Sequence, residues 1–380
     1  MLHLLHLLRA LVVASLLGAL ASPALAAAWR VKPGESIQAA IDRAAPGDTI
    51  EVERARYVEN LLITKALTLR GLDRPTISGG LRGDTIRITA TDVTIEGLIV
   101  SESGDSLRDQ NAGIYVYPGS DRTVVRNCDL SYNLFGLWIE KANDVLIESN
   151  LITGKRDYQS SQRGNGVQLF YTHRARIIGN HISFVRDALY VDVSHDAVFR
   201  DNRLHHSRYG THYMNSYYNR WEGNEVYHNR GGLALMEVRR LTVRNNRAWG
   251  NSDHGIMLRT IQDSVIENNV VAGNQRGFFI YDAEYNTLRG NTVVDNVVGI
   301  HLWAGSKNNV VERNDFIWNR EQVRYVGAKD ELWGIKEGNH WSNYLGWDRN
   351  GDGAGDVQYF EDEPRWREAG EKGMAQPIVD

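Results

Sequence analysis

The sequence predicts an all-β chain, a right-handed parallel β-helix of about 22 residues per coil, and three observations point there together. A glycine followed by alternating apolar residues returns at Gly113-Ile-Tyr-Val, Gly136-Leu-Trp-Ile, Gly166-Val-Gln-Leu, Gly210-Thr-His-Tyr, Gly232-Leu-Ala-Leu, Gly255-Ile-Met-Leu, Gly277-Phe-Phe-Ile and Gly299-Ile-His-Leu, with Ala188-Leu-Tyr-Val in the same series. These starts keep a nearly constant spacing except for one longer interval, from Gly136 to Gly166. Fourteen residues after almost every start stands an asparagine: Asn127, Asn150, Asn180, Asn202, Asn224, Asn246, Asn269 and Asn291, with Asn314 one place late. The apolar period is two, and no segment carries a helical i, i+3, i+4 stripe over several turns.

One coil of this length feeds three parallel sheets, with neighbouring coils about 4.8 Å apart and a right-handed winding set by strand twist. Asparagines stacked at one corner can chain their amides from coil to coil, which gives them a structural role. The 36 glycines suit a chain that turns several corners per repeat.

Residues 1–26 read as a secretory signal. His3, His6 and Arg9 make a weakly basic start, Leu11 to Leu20 an apolar stretch, and Ala24-Leu25-Ala26 a small-x-small cleavage site. The apolar stretch is too short to remain as a membrane span, so the mature chain is expected in a bacterial periplasm. Residues 27–325 are assigned to the β-helix. Within them, Ser36 caps a short helix whose Ile37, Ala40 and Ile41 face the open N-terminal end of the core. Residues 326–380, rich in Trp and Gly, form a C-terminal cap. Two coils, Gly83 to Gly113 and Gly136 to Gly166, are equally long and exceed the regular repeat. The extra lengths, Gly104–Asn111 and Lys155–Arg163, fall at one corner, where they overhang the first sheet or are plain surface variation.

A net charge of −4 and a pI near 6.3 provide no footprint for nucleic acid. The single cysteine, Cys128, reads as a small core or turn residue in an exported chain stabilised by packing rather than disulfides.

In the Gly-x-x-x pattern the third and fifth residues point outward. The first outward column reads Tyr115, Trp138, Gln168, Tyr190, His212, Ala234, Met257, Phe279, His301; the second reads Tyr117, Glu140, Phe170, Asp192, Met214, Met236, Arg259, Tyr281, Trp303. Outward positions of the second sheet, Arg200, Arg244, Glu267 and Arg289, are charged as a solvated face should be. The aromatic residues Tyr115, Trp138, Phe170, Tyr190, Phe279, Tyr281 and Trp303, with His301, therefore mark a recognition surface. His212, Met214, Met236 and Met257 stand among them; thioether with imidazole is a ligand set for Cu(I). The same residues could also make an adaptable partner groove or loop-covered packing. His206 and His228 share a register at another corner, read as incidental.

Asp348-Arg-Asn-Gly-Asp-Gly-Ala-Gly-Asp356 resembles part of a calcium loop, with Asp348, Asn350, Asp352 and Asp356 as oxygen donors and no closing glutamate. The alternative is a plain Asp/Gly turn.

Three features together resemble one family: the entry Val31–Val52 running into Leu-Thr-Leu-Arg-Gly71, the asparagine coils, and the ending Gly338-Asn-His-Trp-Ser-Asn-Tyr-Leu-Gly-Trp-Asp348. The chain is similar to the NosD family, pectin-lyase-like β-helices with a CASH-type domain that assist copper-site assembly in nitrous oxide reductase. His212-Tyr-Met214 followed by Leu233-Ala-Leu-Met236 is close to that pattern. The resemblance implies a non-enzymatic periplasmic factor that handles copper or sulfur with an ABC-type transporter, a copper chaperone and nitrous oxide reductase. The stretch after Phe360 departs from the family's pattern. The competing expectation is a carbohydrate-binding or carbohydrate-active β-helix. Its candidate acids are Glu140 and Asp192, two coils apart, and the pair Asp253-His254, otherwise a turn residue beside a corner histidine.

Overall fold

A residue with φ near +55° followed by a buried asparagine makes one corner of nearly every coil, and that two-residue turn sets the architecture. Ser149, Gly179, Asp201, Gly223, Asn245, Asn268 and Gly290 take the left-handed conformation, and the next residue is the ladder asparagine. The computed structural model describes residues 26–351, 355–357 and 359. The expected signal (apart from Ala26), Asp352 and the stretch after Phe360 lie outside the described residues.

The coils form a right-handed parallel solenoid. The sheet carrying the glycine pattern has 12 strands, from Leu61–Ile63 to Glu321–Val326. A second sheet of 14 strands runs from Ala28–Val31 to Leu332–Trp333. The third is split into three strands (Arg56–Val58 to Ile99–Ser101) and nine strands (Leu151–Thr153 to His340–Trp341), joined through single bridges at Asp129. The stack thus continues one coil beyond residue 325, and Asn339 extends the ladder by accepting from Asn314.

Within the ladder each amide is fully used. Asn246 Nδ2 donates to Trp221 O, Arg244 O and Asn269 Oδ1, while its own Oδ1 accepts from Asn224 N and Nδ2. Asn127 is a correction to the expected series: it is exposed and takes the left-handed corner at φ 54°. Cys128 holds the ladder register instead, its N–H donating to Asn150 Oδ1. The coil is one residue longer before the corner, so counting fourteen from Gly113 stops one place short. A second ladder, Asn229, Asn251, Asn274, Asn296 and Asn319, runs along another corner.

The strand glycines are required by close approach, not by corner conformation. A Cβ on Gly232 would stand 2.1 Å from Gly255 O, and one on Gly166 2.3 Å from Ile182 Cγ2. Register also revises the first long coil. Ile86 pairs with Ile114 and Leu137 with Val167, so the first long coil is the shorter of the two, not their equal.

At the N-terminal end the helix Ile37–Arg43 is capped by Ser36 Oγ, which accepts from Ala39 N, and buries Ile37, Ala40 and Ile41. The Glu59 carboxylate accepts from Ile37 N and Gln38 N as well. At the other end Phe316, Trp341 and Tyr359 stack with ring centroids 4.4 and 4.3 Å apart. No helix among the described residues is long and apolar enough to cross a membrane.

Candidate functional site

Strand pairing places the two outward columns side by side on the first sheet. Tyr115 pairs with Trp138, then Gln168, Tyr190, His212, Ala234, Met257, Phe279 and His301 follow coil by coil. In the second column Phe170, Asp192 and Met214 are successive partners, and Met236 faces Arg259. The strands that carry Met236 and Met257, Gly231–Arg239 and His254–Gln262, have nine residues each and make the widest part of the sheet.

Burial divides the residues expected to form a recognition surface. Tyr115 and Trp138 are covered: with Ala112, Leu134 and Phe135 they form a separate apolar cluster beneath the first insertion. His301 is only 4% exposed, between Phe279 and Trp303. Both its ring nitrogens lack a hydrogen-bond partner among the described residues, and burial pushes its pKa down to about 4. Phe170, Tyr190 and Phe279 are half-buried, while Tyr281 and Trp303 are exposed. Long aromatic side chains on neighbouring coils close over one another, which a list of outward positions does not reveal.

The two insertions meet above the covered end. Lys155, from the second, is buried, donates to Ser103 O at 3.1 Å and pairs with Asp105 of the first. Tyr158 Oη donates to the other Asp105 oxygen at 2.9 Å. Removing Asp105 would leave the buried Lys155 ammonium without its countercharge, so the loops hold as one roof. Below its edge opens a groove of about 540 Å³, with Leu107 and Arg163 from the loops, Trp138, Phe170 and Tyr190 from the columns, and His212 at its far end.

His212 is oriented by a residue that sequence reading missed. Its Nδ1 lies 3.3 Å from Asp187 Oδ2, and Arg208 pairs with the same carboxylate. Burial alone would raise the Asp187 carboxyl, but hydrogen bonds from His212 and Arg208 hold it below the ordinary range. The same Nδ1 also lies 3.2 Å from Arg208 Nη2, so an acceptor and a donor both meet that side of the ring and fix its place. A carboxylate behind an imidazole is how ligating histidines are commonly set.

Of the expected copper donors, Met214 and Met236 occupy the same column on adjacent coils, Met214 two residues after His212. Met257 lies two coils from His212, with the buried Ala234 between them. Met236 is 8% exposed, and Met214 and Met257 are half-buried. Ala234, between His212 and Met257, carries no side chain beyond Cβ. Among the described residues no three of His, Cys, Asp and Glu are grouped to hold a metal ion; the donors of this patch are three thioethers and one imidazole.

In the C-terminal loop, Asp348 Oδ1 accepts from Gly351 N at 2.7 Å. Asp356 accepts from Arg349 N and from Asn350 Nδ2. These carboxylates close the turn on itself. Asp253 is ion-paired with Arg276, and His254 is buried beside Tyr209. Glu140 accepts from Tyr115 Oη. Burial pushes the Cys128 thiol up to about 11.

Comparison with known proteins agrees with this architecture. The mannuronan C-5 epimerase AlgE6 A-module of Azotobacter vinelandii matches over 80% of this chain and 91% of its own, with TM-score 0.51 and 17% identity, a likeness of fold. The NosD family model, described as periplasmic copper-binding protein (NosD), matches residues 148–346. The probable ABC transporter binding protein NosD of Stutzerimonas stutzeri is 34% identical over 319 residues, 80% of this chain and 73% of its own. Its counterpart in Pseudomonas aeruginosa is 35% identical over 80% of this chain and 74% of its own. On these matches the chain belongs to the NosD family.

Proposed function

We propose that the protein is a non-catalytic periplasmic factor that handles copper during maturation of the copper centre of nitrous oxide reductase, together with an ABC-type transporter and a copper chaperone. The observation that carries this reading is His212, held through Nδ1 by Asp187 on the face that bears Met214, Met236 and Met257. Thioethers and a neutral imidazole suit Cu(I) as transferable cargo, since soft neutral donors bind it without fixing a charge. Titration of the mature protein with Cu(I), read by X-ray absorption, is expected to show sulfur and nitrogen scatterers. Absence of sulfur, with affinity unchanged in Met214→Ala and Met236→Ala, overturns direct coordination there.

A second reading, carbohydrate binding, is favoured by the groove, where Trp138, Phe170 and Tyr190 stand beside Arg163 and Arg186. Oligosaccharide release or saturable binding across a polysaccharide panel supports it, and silence across the panel removes it.

A further inference from the structure

Behind the roof of the groove lies a second cleft, lined by arginines, serines and a histidine. Arg186, Arg208 and Arg230 recur at the coil spacing and precede Asp187, Tyr209 and Gly231, which pair in register. Arg208 N donates to Arg186 O at 2.8 Å, and Gly231 N to Arg208 O at 2.9 Å, so three guanidinium-bearing residues stand on successive coils at one corner. The second insertion brings Arg163, Ser160 and Ser161 against this row, and His206 and Ser207 complete a cleft of about 490 Å³.

Charge in this cleft is not balanced. Its lining includes no Asp or Glu. Arg163, Arg186 and Arg208 also border the neighbouring groove, where Arg208 is paired with Asp187. Arg163 is tied to three carbonyls, of Tyr158, Phe184 and Arg156, which orient it without neutralising it; burial pushes it below the ordinary arginine range. Neither Arg186 nor Arg230 has an acidic partner among the described residues. Elsewhere on this chain the stack solves the same problem by alternation: Arg244 meets Glu222, and Arg289 meets Glu267. Stacked like charges with fixed geometry and adjacent hydroxyls form a receptor for an anion with several oxygens, which guanidinium planes bind in pairs. The size of the cleft suits a small molecule rather than a protein segment.

We infer that this cleft is a binding site for a small, multiply charged oxyanion of the phosphate or sulfate class, held by Arg163, Arg186, Arg208 and Arg230. The site touches the Asp187–His212 pair through Arg208, but its lining includes none of Met214, Met236 and Met257.

Calorimetric titration of the mature protein with inorganic sulfate and inorganic phosphate, against sodium chloride at matched ionic strength, tests it. Saturable binding of at least one oxyanion is expected, with none for chloride. Arg186→Gln with Arg230→Gln should weaken it at least tenfold, and Arg186→Lys, which keeps the charge, should weaken it less. Met214→Ala should leave it unchanged. Thermal melts report folding of each variant, and sulfate should raise the melting temperature of the parent more than that of the double variant. Absence of saturable binding for both anions, or equal affinity in parent and folded variants, overturns the inference.

Discussion

The second sheet and the first are built by the same coils, yet their outer faces obey different rules. Along the second sheet charges are matched from coil to coil: Arg126 with Glu96, Arg244 with Glu222 and Arg289 with Glu267, at 2.6 to 2.9 Å. Such a face is what a solenoid needs to stay soluble, and each exposed pair contributes little to stability. Along the first sheet most outward residues are aromatic rings, thioethers and histidines. Some are covered by the tied insertions; the rest line a groove that ends at the Asp187–His212 pair. Nothing in the winding of the coil calls for methionine at these positions. The difference separates what builds the stack from what the stack presents.

Cutting the ladder beneath both faces has the largest expected effect. Asn246→Ala removes the acceptor of Asn224 and the donor to Trp221 O inside the core. A loss of about 3 kcal/mol in denaturant unfolding is expected, since buried backbone groups are left without partners.

Next in size is the response to acid. The His205 imidazole is pushed down to about 4, first by burial and then by His181, His206 and His228. His301 is pushed down to a similar value. An unfolded chain takes up these protons near pH 6.5, whereas the folded chain resists until about pH 4. Stability is therefore full above pH 6.5 and falls as pH drops toward 4. Melting temperatures measured from pH 7 to pH 4.5 should decline, and His301→Phe should flatten part of that decline.

A smaller effect concerns the loop outside the stack. If Asp348, Asn350, Asp352 and Asp356 take calcium as a structural ion, added Ca²⁺ raises the melting temperature by a few degrees and a chelator reverses it. An unchanged melt in both assigns the loop to a turn closed by its own amides. The smallest effect is expected on the second sheet. Arg289→Ala should change stability by no more than about 0.5 kcal/mol and leave Cu(I) affinity as it was.

Much of the fold was legible because a parallel stack repeats its register, so period and asparagines report the same geometry. What escaped did so for physical reasons. Asn127 falls outside the ladder because one extra residue precedes the corner in its coil. The covering of Tyr115 and Trp138 depends on how two loops pair through Lys155 and Asp105, 50 residues apart. The outward columns were readable, since alternation decides which side chains leave the core. Asp187 was not, because it lies 25 residues before His212 in sequence and touches it only through coil stacking. The arginine row could have been found by extending the repeat count to charged corners.

Copper handling is proposed to rest on the methionine patch of the first sheet. Its most direct test is the Cu(I) affinity of the mature protein, measured by competition with a chromophoric chelator and compared with Met214→Ala plus Met236→Ala. A fall of tenfold or more in the double variant, with an unchanged unfolding curve, is the predicted result. Equal affinity in the two proteins would contradict it.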